Sequence, residues 1–240
     1  MPPIVARMWG RDNVSQHGPR PSLDLAAITA AAIEIADREG VAGLRMSSVA
    51  TRLGVATMSL YRYVDSKSDL LTAMVDAAAP EPPELAGRPW RDYLTLWTRA
   101  NRDFLLERAW MLQIPRSTPP LGPRALLWLD RVLAALAPTG LDPGQRINIA
   151  TLLNGYAVSQ AGLTLSLSPA NVATGSEALT GGGHYGAVLA AVLDDKRLPA
   201  LADAVRGNAF GDSAIWVDDT DFTFGLELLL DGIEALIARR

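Results

Sequence analysis

The 240-residue sequence contains no cysteine, only two histidines and only two lysines. The lack of cysteine excludes disulfides, iron–sulfur clusters and thiol nucleophiles. The histidines, His17 and His184, lie far apart in polar, glycine-containing stretches, which argues against a structural zinc site. We therefore expect neither a metal nor a cofactor.

Long apolar runs are also missing. No stretch approaches the ~18 apolar residues that a membrane span needs, and residues 1–20 contain no continuous apolar run of the kind found in secretory signals. The composition is 49% hydrophobic and 20% charged, which supports a sizeable core and argues against wholesale disorder. We expect a globular, cytoplasmic protein with no membrane segment.

The net charge of −4 is unfavourable for binding nucleic acid, but the charges are unevenly distributed. Residues 1–79 contain eight basic and eight acidic side chains, whereas residues 80–240 contain fourteen basic and eighteen acidic ones. Four cations and a single acid, Asp65, occur from position 45 to position 67. A local basic face matters more for phosphate contact than the sum over the whole chain.

Helical periodicity runs through most of the chain, which predicts an all-α fold. Residues 1–21 lack periodicity and are predicted to form a flexible arm. Residues 22–79 form a small helical head, a run rich in proline and glycine at 80–89 marks a boundary, and residues 80–240 form a larger helical body. Within the body we predict helices at about 90–108, 123–137, 143–167, 185–195 and 220–238, and a flexible loop over 168–184.

The span 47–64 has the spacing of a helix-turn-helix. Ala50 is small enough for two helices to approach closely, Gly54 can adopt the left-handed conformation of a tight turn, and Leu60 locks the second helix against the first. Such a unit presents its second helix to the major groove of DNA. On this spacing alone, an ordinary helical hairpin is an equally good interpretation.

Two longer motifs narrow that choice: Gly-Val-Ala-Gly-Leu-Arg-Met-Ser-Ser-Val-Ala-Thr-Arg-Leu-Gly-Val over 40–55 and Ser-Leu-Tyr-Arg-Tyr-Val-Asp-Ser-Lys-Ser-Asp-Leu-Leu over 59–71. Across about 22–79 the chain resembles the tetracycline-repressor (TetR) family. The run Phe-Gly-Leu-Glu-Leu-Leu-Leu-Asp-Gly-Ile over 224–233 is similar to the last helix of the tetracycline-repressor branch. The resemblance implies a homodimeric repressor that binds a palindromic DNA operator and is released by a small-molecule effector.

The resemblance also assigns side chains to DNA contact. Thr57, Met58 and Ser59 would face base edges, while Tyr61 and Lys67 would hold phosphates. The predicted DNA-binding set is completed by Ser47, Arg62 and Tyr63.

Two positions depart from the family pattern. Arg45 stands where a serine or threonine usually caps the second helix of the head, so the cap could move to Ser47. Ala56 stands where a serine is common, and alanine cannot cap, so Thr57 could take that role at the expense of reading bases.

Aromatic and amide side chains share helix faces in the body. Trp97, Asn101 and Phe104 lie on one face of a predicted helix, and Asn148 and Leu152 lie on one face of another. Such stripes are usually plain core, but buried amides need partners, and an effector pocket would supply them. The resemblance favours the pocket. The predicted effector-binding set is Trp97, Asn101, Phe104, Trp110, Gln113, Trp128, Asn148 and Leu152.

Small residues accompany apolar ones on more than one face of the helices predicted at 143–167 and 220–238. The second of these places Gly225, Leu228 and Gly232 on a face beside its apolar stripe. A helix that is apolar on several faces should be buried in a core and an interface together. We predict that the two helices pair with their symmetry mates as a four-helix bundle.

Other signals are weaker. Residues 181–186 match G-x-G-x-x-G but follow no strand, so we interpret them as loop. Arg7, Arg11 and Arg20 either enter a minor groove or belong to a solvated tail. The alternative to a regulator is an all-α enzyme or ligand carrier, but the chain has no nucleophile–base pair, metalloprotease motif or phosphate loop.

Overall fold

The computed structural model describes residues 1–11, 23–115, 119–167, 182–210 and 219–239. Across these ranges every regular element is a helix and there is no β-strand, which confirms the all-α fold class. No helix in this part of the chain is both long and apolar enough to cross a membrane. The α-helices are α1 (Pro3–Met8), α2 (Leu25–Gly43), α3 (Met46–Leu53), α4 (Thr57–Leu60), α5 (Lys67–Ala78), α6 (Trp90–Glu107), α7 (Pro123–Leu136), α8 (Pro143–Ser166), α9 (Gly182–Val192), α10 (Pro199–Arg206) and α11 (Asp219–Ala238), with 3₁₀ turns at Ala109–Gln113 and Ala137–Thr139.

The described residues form two compact units, Met1–Ala150 and Thr151–Arg240. Inside the first unit, the predicted boundary at 80–89 is not a gap in the packing. Helix α5 packs on α7, and α2 packs on the 3₁₀ turn Ala109–Gln113. The division into a head and a body stays a prediction about how the chain is organised.

An N-cap side chain and a glycine mark the start of α2 and the break near its end. The carboxylate of Asp24 accepts a hydrogen bond from the amide of Ala27 at 2.7 Å, which satisfies one of the free N–H groups at the start of the helix. Gly40 has a φ of +68° and interrupts the regular helix, followed by one further turn to Gly43. Ile28 and Ala32 are fully buried on the inner face.

The amino terminus differs from the flexible arm predicted over 1–21. Residues 3–8 form α1, in which Ile4 and Val5 are buried, and the helix packs on α5. The indole N–H of Trp9 donates to the carbonyl oxygen of Leu121 at 2.8 Å. Two adjacent apolar side chains are too short a pattern to show periodicity, but their burial fixes the segment. Residues 12–22 of the predicted arm lie outside the described ranges.

A buried carboxylate joins α5 to α7. Asp76 of α5 accepts hydrogen bonds from the backbone amides of Ala125 at 2.9 Å and Arg124 at 3.3 Å. These amides belong to the first turn of α7, whose N–H groups have no partner within the helix. Burial raises the pKa of Asp76 above its ordinary value, and the two amide hydrogen bonds oppose that rise.

In the body the helices lie close to their predicted positions, with two differences. Helix α9 begins at Gly182, so the last residues of the loop predicted over 168–184 are helical, while the rest of that loop lies outside the described residues. Helix α10, of eight residues with Ala202 buried, is not among the predicted helices.

Within the second unit, α8 and α11 contact each other through Tyr156. Its ring stacks on that of Phe222 with centroids 5.4 Å apart, and its hydroxyl donates to the Phe222 carbonyl oxygen at 2.8 Å. A Cβ on Gly225 would collide with this tyrosine ring. Gly225 therefore provides a close approach inside the unit, whereas a Cβ on Gly232 would meet no described atom within 4 Å.

Candidate nucleic-acid interface

The turn between α3 and α4 has the geometry that the sequence predicts. Gly54 ends α3 with a φ of +67° and a ψ of 30°, a left-handed conformation that an L side chain rarely adopts. The amide of Val55 donates to the carbonyl of Ala50 at 3.0 Å, which closes the helix end. Ala50 is 2% exposed and Leu60 is fully buried, so both residues occupy the contact between the two helices as expected.

The N-caps of α3 and α4 are not the residues that the departures from the family pattern suggested. Helix α3 keeps Arg45 at its N-cap position, and the hydroxyl of Ser48 accepts a hydrogen bond from the Arg45 amide at 3.0 Å. Because a guanidinium has no acceptor, only this half of a capping box is formed. Ala56 remains the N-cap of α4 without a side-chain hydrogen bond. Ser47 and Thr57 are therefore not used as N-caps.

The side chains predicted to meet DNA, on α4 and beside it, differ in exposure. Met58 is 74% exposed and Tyr61 is 41% exposed, and Arg62 is also exposed. Thr57, Ser59 and Tyr63 are half-buried, while Ser47 is exposed on α3. An exposed methionine beside buried core is the unusual feature of this surface, since methionine is normally among the more buried residues.

Several cations lie close to α4 in the sequence. Lys67 is the first residue of α5, where Ser66 caps the helix by accepting from the Asp69 amide at 3.0 Å. Arg52 is paired with Glu34 across α2 and α3. Among the described residues, Arg62 and Lys67 form no ion pair, so both charges are available to an anionic partner.

Two of the predicted effector-binding residues pack directly on each other. Trp97 and Trp128 are 3% and 8% exposed, and their indole N–H groups are both used internally. That of Trp97 donates to the carbonyl of Trp128 at 3.0 Å, and that of Trp128 donates to the carbonyl of Pro80 at 2.8 Å. Asn101 and Phe104 are buried on the same helix as Trp97.

Trp110 and Gln113 have a different environment. They line an open cleft of about 480 Å³ between α2 and the 3₁₀ turn, together with Asp37 and Arg108. The indole of Trp110 donates to the Asp37 carboxylate at 2.6 Å. The prediction did not anticipate that these two residues would contact the head.

Asn148 and Leu152 lie on α8, and both are exposed. Leu152 belongs to the second compact unit and retains 49% of its surface. Because Asn148 is exposed, its amide can be hydrated and does not need a ligand as its hydrogen-bond partner.

Sequence reasoning missed the part played by α1 beside the DNA-facing surface. The sequence predicts that Arg7 either enters a minor groove or belongs to a solvated tail, but its guanidinium donates to the carbonyl of Tyr63 at 2.9 Å and pairs with Asp65 at 3.2 Å. The only available signal was the proline-initiated apolar pair Ile4 and Val5. Proline is favoured in the first turn of a helix.

A helix-turn-helix whose second helix holds Met58 in solvent, followed by two cations without an ion pair among the described residues, is typical of a DNA-binding regulator. Comparison with known proteins agrees with this class. Residues 28–74 match the family described as bacterial regulatory proteins, tetR family, and residues 81–237 match the tetracyclin repressor-like C-terminal domain. The chain belongs to the TetR family.

Individual relatives support the same assignment. The HTH-type transcriptional repressor DrrR1 of Streptomyces coeruleorubidus is 35% identical over 97% of this chain and 85% of its own length. ActR of Streptomyces coelicolor, solved in complex with actinorhodin, superposes with a TM-score of 0.72 at 24% identity, covering 92% of this chain and 99% of its own. BioQ, solved with its DNA operator, gives a TM-score of 0.57 at 20% identity, covering 89% and 99%.

The class of the protein follows from the fold and the family together. The chain is a DNA-binding transcriptional repressor of the TetR family. The similarity to ActR and BioQ, each below 25% identity, shows the shared fold.

Proposed function

We propose that α4 is the recognition helix of the operator-binding dimer and that Thr57, Met58 and Ser59 read base edges. The observation that carries this proposal is the 74% exposure of Met58 on a helix whose Leu60 is fully buried. A methyl-bearing side chain held in solvent fits the C5-methyl group of thymine in the major groove.

The surrounding polar residues fix the register on the duplex. The hydroxyl of Tyr61 and the ammonium of Lys67 hold phosphates, and the start of α5 adds a favourable helix dipole. Arg62 reaches either a guanine or a phosphate, and Ser47 and Tyr63 contact the adjacent backbone. A two-fold dimer then reads an inverted repeat whose half-sites lie about one helical turn, ~34 Å, apart. The protein works in the cytoplasm and performs no catalysis.

The effector site belongs to the body, with Asn101 as its polar group. Asn101 is 9% exposed among aromatic neighbours on α6, the setting in which a placed amide orients a mainly apolar ligand. Binding must favour a spacing of the two heads that misfits the operator, because only differential affinity shifts a conformational equilibrium. Helix α5 transmits the change from the body to the head, since it packs on both α2 and α7.

The test begins by selecting operator duplexes from a random pool with the wild-type protein. Titrations of the selected and a scrambled duplex at several salt concentrations then compare Met58→Ala with Lys67→Ala. Met58→Ala should lose operator preference by roughly 1–3 kcal/mol. Lys67→Ala should weaken both duplexes alike and make the salt slope shallower by about one unit.

The control is Arg88→Ala, which removes an exposed cation outside the helix-turn-helix and should change neither quantity. If Met58→Ala keeps the operator-to-scrambled ratio while Lys67→Ala abolishes it, the roles assigned to the helix are reversed. If neither variant changes binding, this surface does not contact DNA.

A further inference from the structure

An arginine of α1 contacts the turn that follows the recognition helix. Nη1 of Arg7 donates to the backbone carbonyl of Tyr63 at 2.9 Å and to Oδ1 of Asp65 at 3.2 Å. The Arg7 side chain is 18% exposed, so the guanidinium is largely withdrawn from solvent. These contacts connect positions more than fifty residues apart in the chain.

The Tyr63 carbonyl belongs to the turn at residues 61–63, which directly follows α4. The amides of Tyr63 and Val64 both donate to the carbonyl of Leu60, at 2.9 and 3.0 Å, so this turn is bonded to the last residue of α4. Carbonyls just past a helix end have no partner within the helix, and a nearby cation can donate to them. Arg7 therefore holds the turn after the recognition helix from a distant part of the chain.

Arg7 also acts on the charge of the DNA-facing surface. Asp65 is the only acidic residue from position 45 to position 67 and it is half exposed. A free carboxylate two residues before Lys67 would repel the phosphate that this lysine holds. The ion pair with Arg7 cancels that charge without using a cation from the recognition helix itself.

Helix α1 has independent anchors that hold Arg7 in place. Ile4 and Val5 are 5% and 8% exposed, and the indole of Trp9 is bound to the Leu121 carbonyl at 2.8 Å. The other arginine of the segment, Arg11, lies over the ring of Trp9 at 5.8 Å from its centroid. Of the two arginines, Arg7 thus contacts Tyr63 and Asp65, whereas Arg11 contacts Trp9 of its own segment.

We propose that Arg7 is a positioning residue for operator binding: it holds the turn after the recognition helix through the Tyr63 carbonyl and neutralises Asp65, without contacting DNA. The inference rests on the proposed role of α4 as the recognition helix. It gives α1 a function outside the three-helix head.

The experiment compares Arg7→Ala with the matched control Arg11→Ala on an operator selected by the wild-type protein. Both variants lose one positive charge from the same segment. Arg7→Ala should weaken operator binding about tenfold and should speed hydrogen exchange at the amides of Tyr63 and Val64. Arg11→Ala should stay within about twofold of wild type, with exchange unchanged.

The double variant Arg7→Ala/Asp65→Asn separates positioning from direct contact. Removing the exposed carboxylate should recover part of the lost affinity, while the salt slope stays at the wild-type value. A slope shallower by about one unit would mean that Arg7 itself holds a phosphate, which overturns the proposal. Wild-type affinity in Arg7→Ala, or an equal loss in Arg11→Ala, would overturn it as well.

A substitute variant and a parallel titration distinguish failure of folding, and failure of the proposed function, from failure of the role of Arg7. If Arg7→Ala fails to fold, Arg7→Gln takes its place, because glutamine retains a donor for the Tyr63 carbonyl but lacks the charge. The operator affinity of Arg7→Gln should lie between that of the wild type and the expected tenfold loss. Wild-type affinity of this variant would overturn the proposal. Lys67→Ala is titrated in parallel. If Lys67→Ala leaves binding unchanged, the proposed function fails, whereas normal loss in Lys67→Ala with wild-type behaviour of Arg7→Ala rejects only the role of Arg7.

Discussion

The indole N–H of Trp97 donates to the backbone carbonyl of Trp128 over 3.0 Å, and the two rings meet edge to face with centroids 5.5 Å apart. This pair ties α6 to α7 within the first compact unit. Because both indoles are buried and both N–H groups are satisfied inside the protein, the pair has the properties of structural core.

Trp128→Ala should therefore lower stability rather than alter a ligand response alone. Removing a buried tryptophan leaves a cavity and should cost about 3–5 kcal/mol of unfolding free energy. Denaturant unfolding followed by circular dichroism measures this. Leu121→Ala, at a half-exposed position before α7, is the control and should cost much less. A Trp128→Ala protein with wild-type stability and no effector response would instead identify the residue as a ligand contact.

Asp76 should make stability depend on pH in a defined direction. Desolvation raises the pKa of this carboxyl above 3.8, in spite of the amide hydrogen bonds from Ala125 and Arg124. A raised pKa in the folded state contributes stability that is fully present below the unfolded pKa and is lost as the pH rises through the folded pKa.

The measurement is the unfolding free energy of wild type minus that of Asp76→Asn, taken from about pH 3 to about pH 7. We expect the difference to decrease as the pH rises, since the variant cannot titrate at this position and other groups cancel. A difference that increases with pH would show that the amide hydrogen bonds dominate and that the pKa of Asp76 is lowered.

Gly232→Arg should separate folding from dimerisation. Phe224 and Leu228 on the same side of α11 are 67% and 58% exposed, and a Cβ on Gly232 has open space in the single chain. We predict a folded monomer in sedimentation at micromolar concentration, where we expect the wild type to be a dimer. Ala200→Arg, at an exposed position of α10, should remain dimeric. Normal dimerisation of Gly232→Arg would place the interface elsewhere.

Gly54→Ala should damage the turn that orients the recognition helix. At a φ of +67° an alanine costs about 1 kcal/mol or more, because its Cβ crowds the backbone. We expect lower stability and weaker operator binding, since α4 is displaced relative to α3. Gly207→Ala has an ordinary φ of −74° and serves as control in thermal unfolding. Equal behaviour of the two variants would exclude a constraint from the left-handed turn.

The sequence was sufficient for the features that depend on neighbours three or four residues apart. The periodicity of Ile28, Ala32 and Ile35 determines α2, and the positions of Ala50, Gly54 and Leu60 determine the helix-turn-helix. Each of these signals is local, because helix faces repeat every 3.6 residues and a left-handed turn requires glycine at one position.

The tertiary structure decided which side chains meet across long separations. Arg7 lies 58 residues from Asp65 in the chain, and Trp110 lies 73 residues from Asp37. No local pattern encodes such partners, because they depend on how whole helices dock. The sequence by itself determined most of the helices, the turn between α3 and α4, and the family, but neither α1 nor α10. Only the packing shows that Trp97 contacts Trp128 and that Trp110 contacts α2. The packing also shows that the predicted arm contains the helix that holds Arg7, because Ile4 and Val5 are buried where that helix packs on α5.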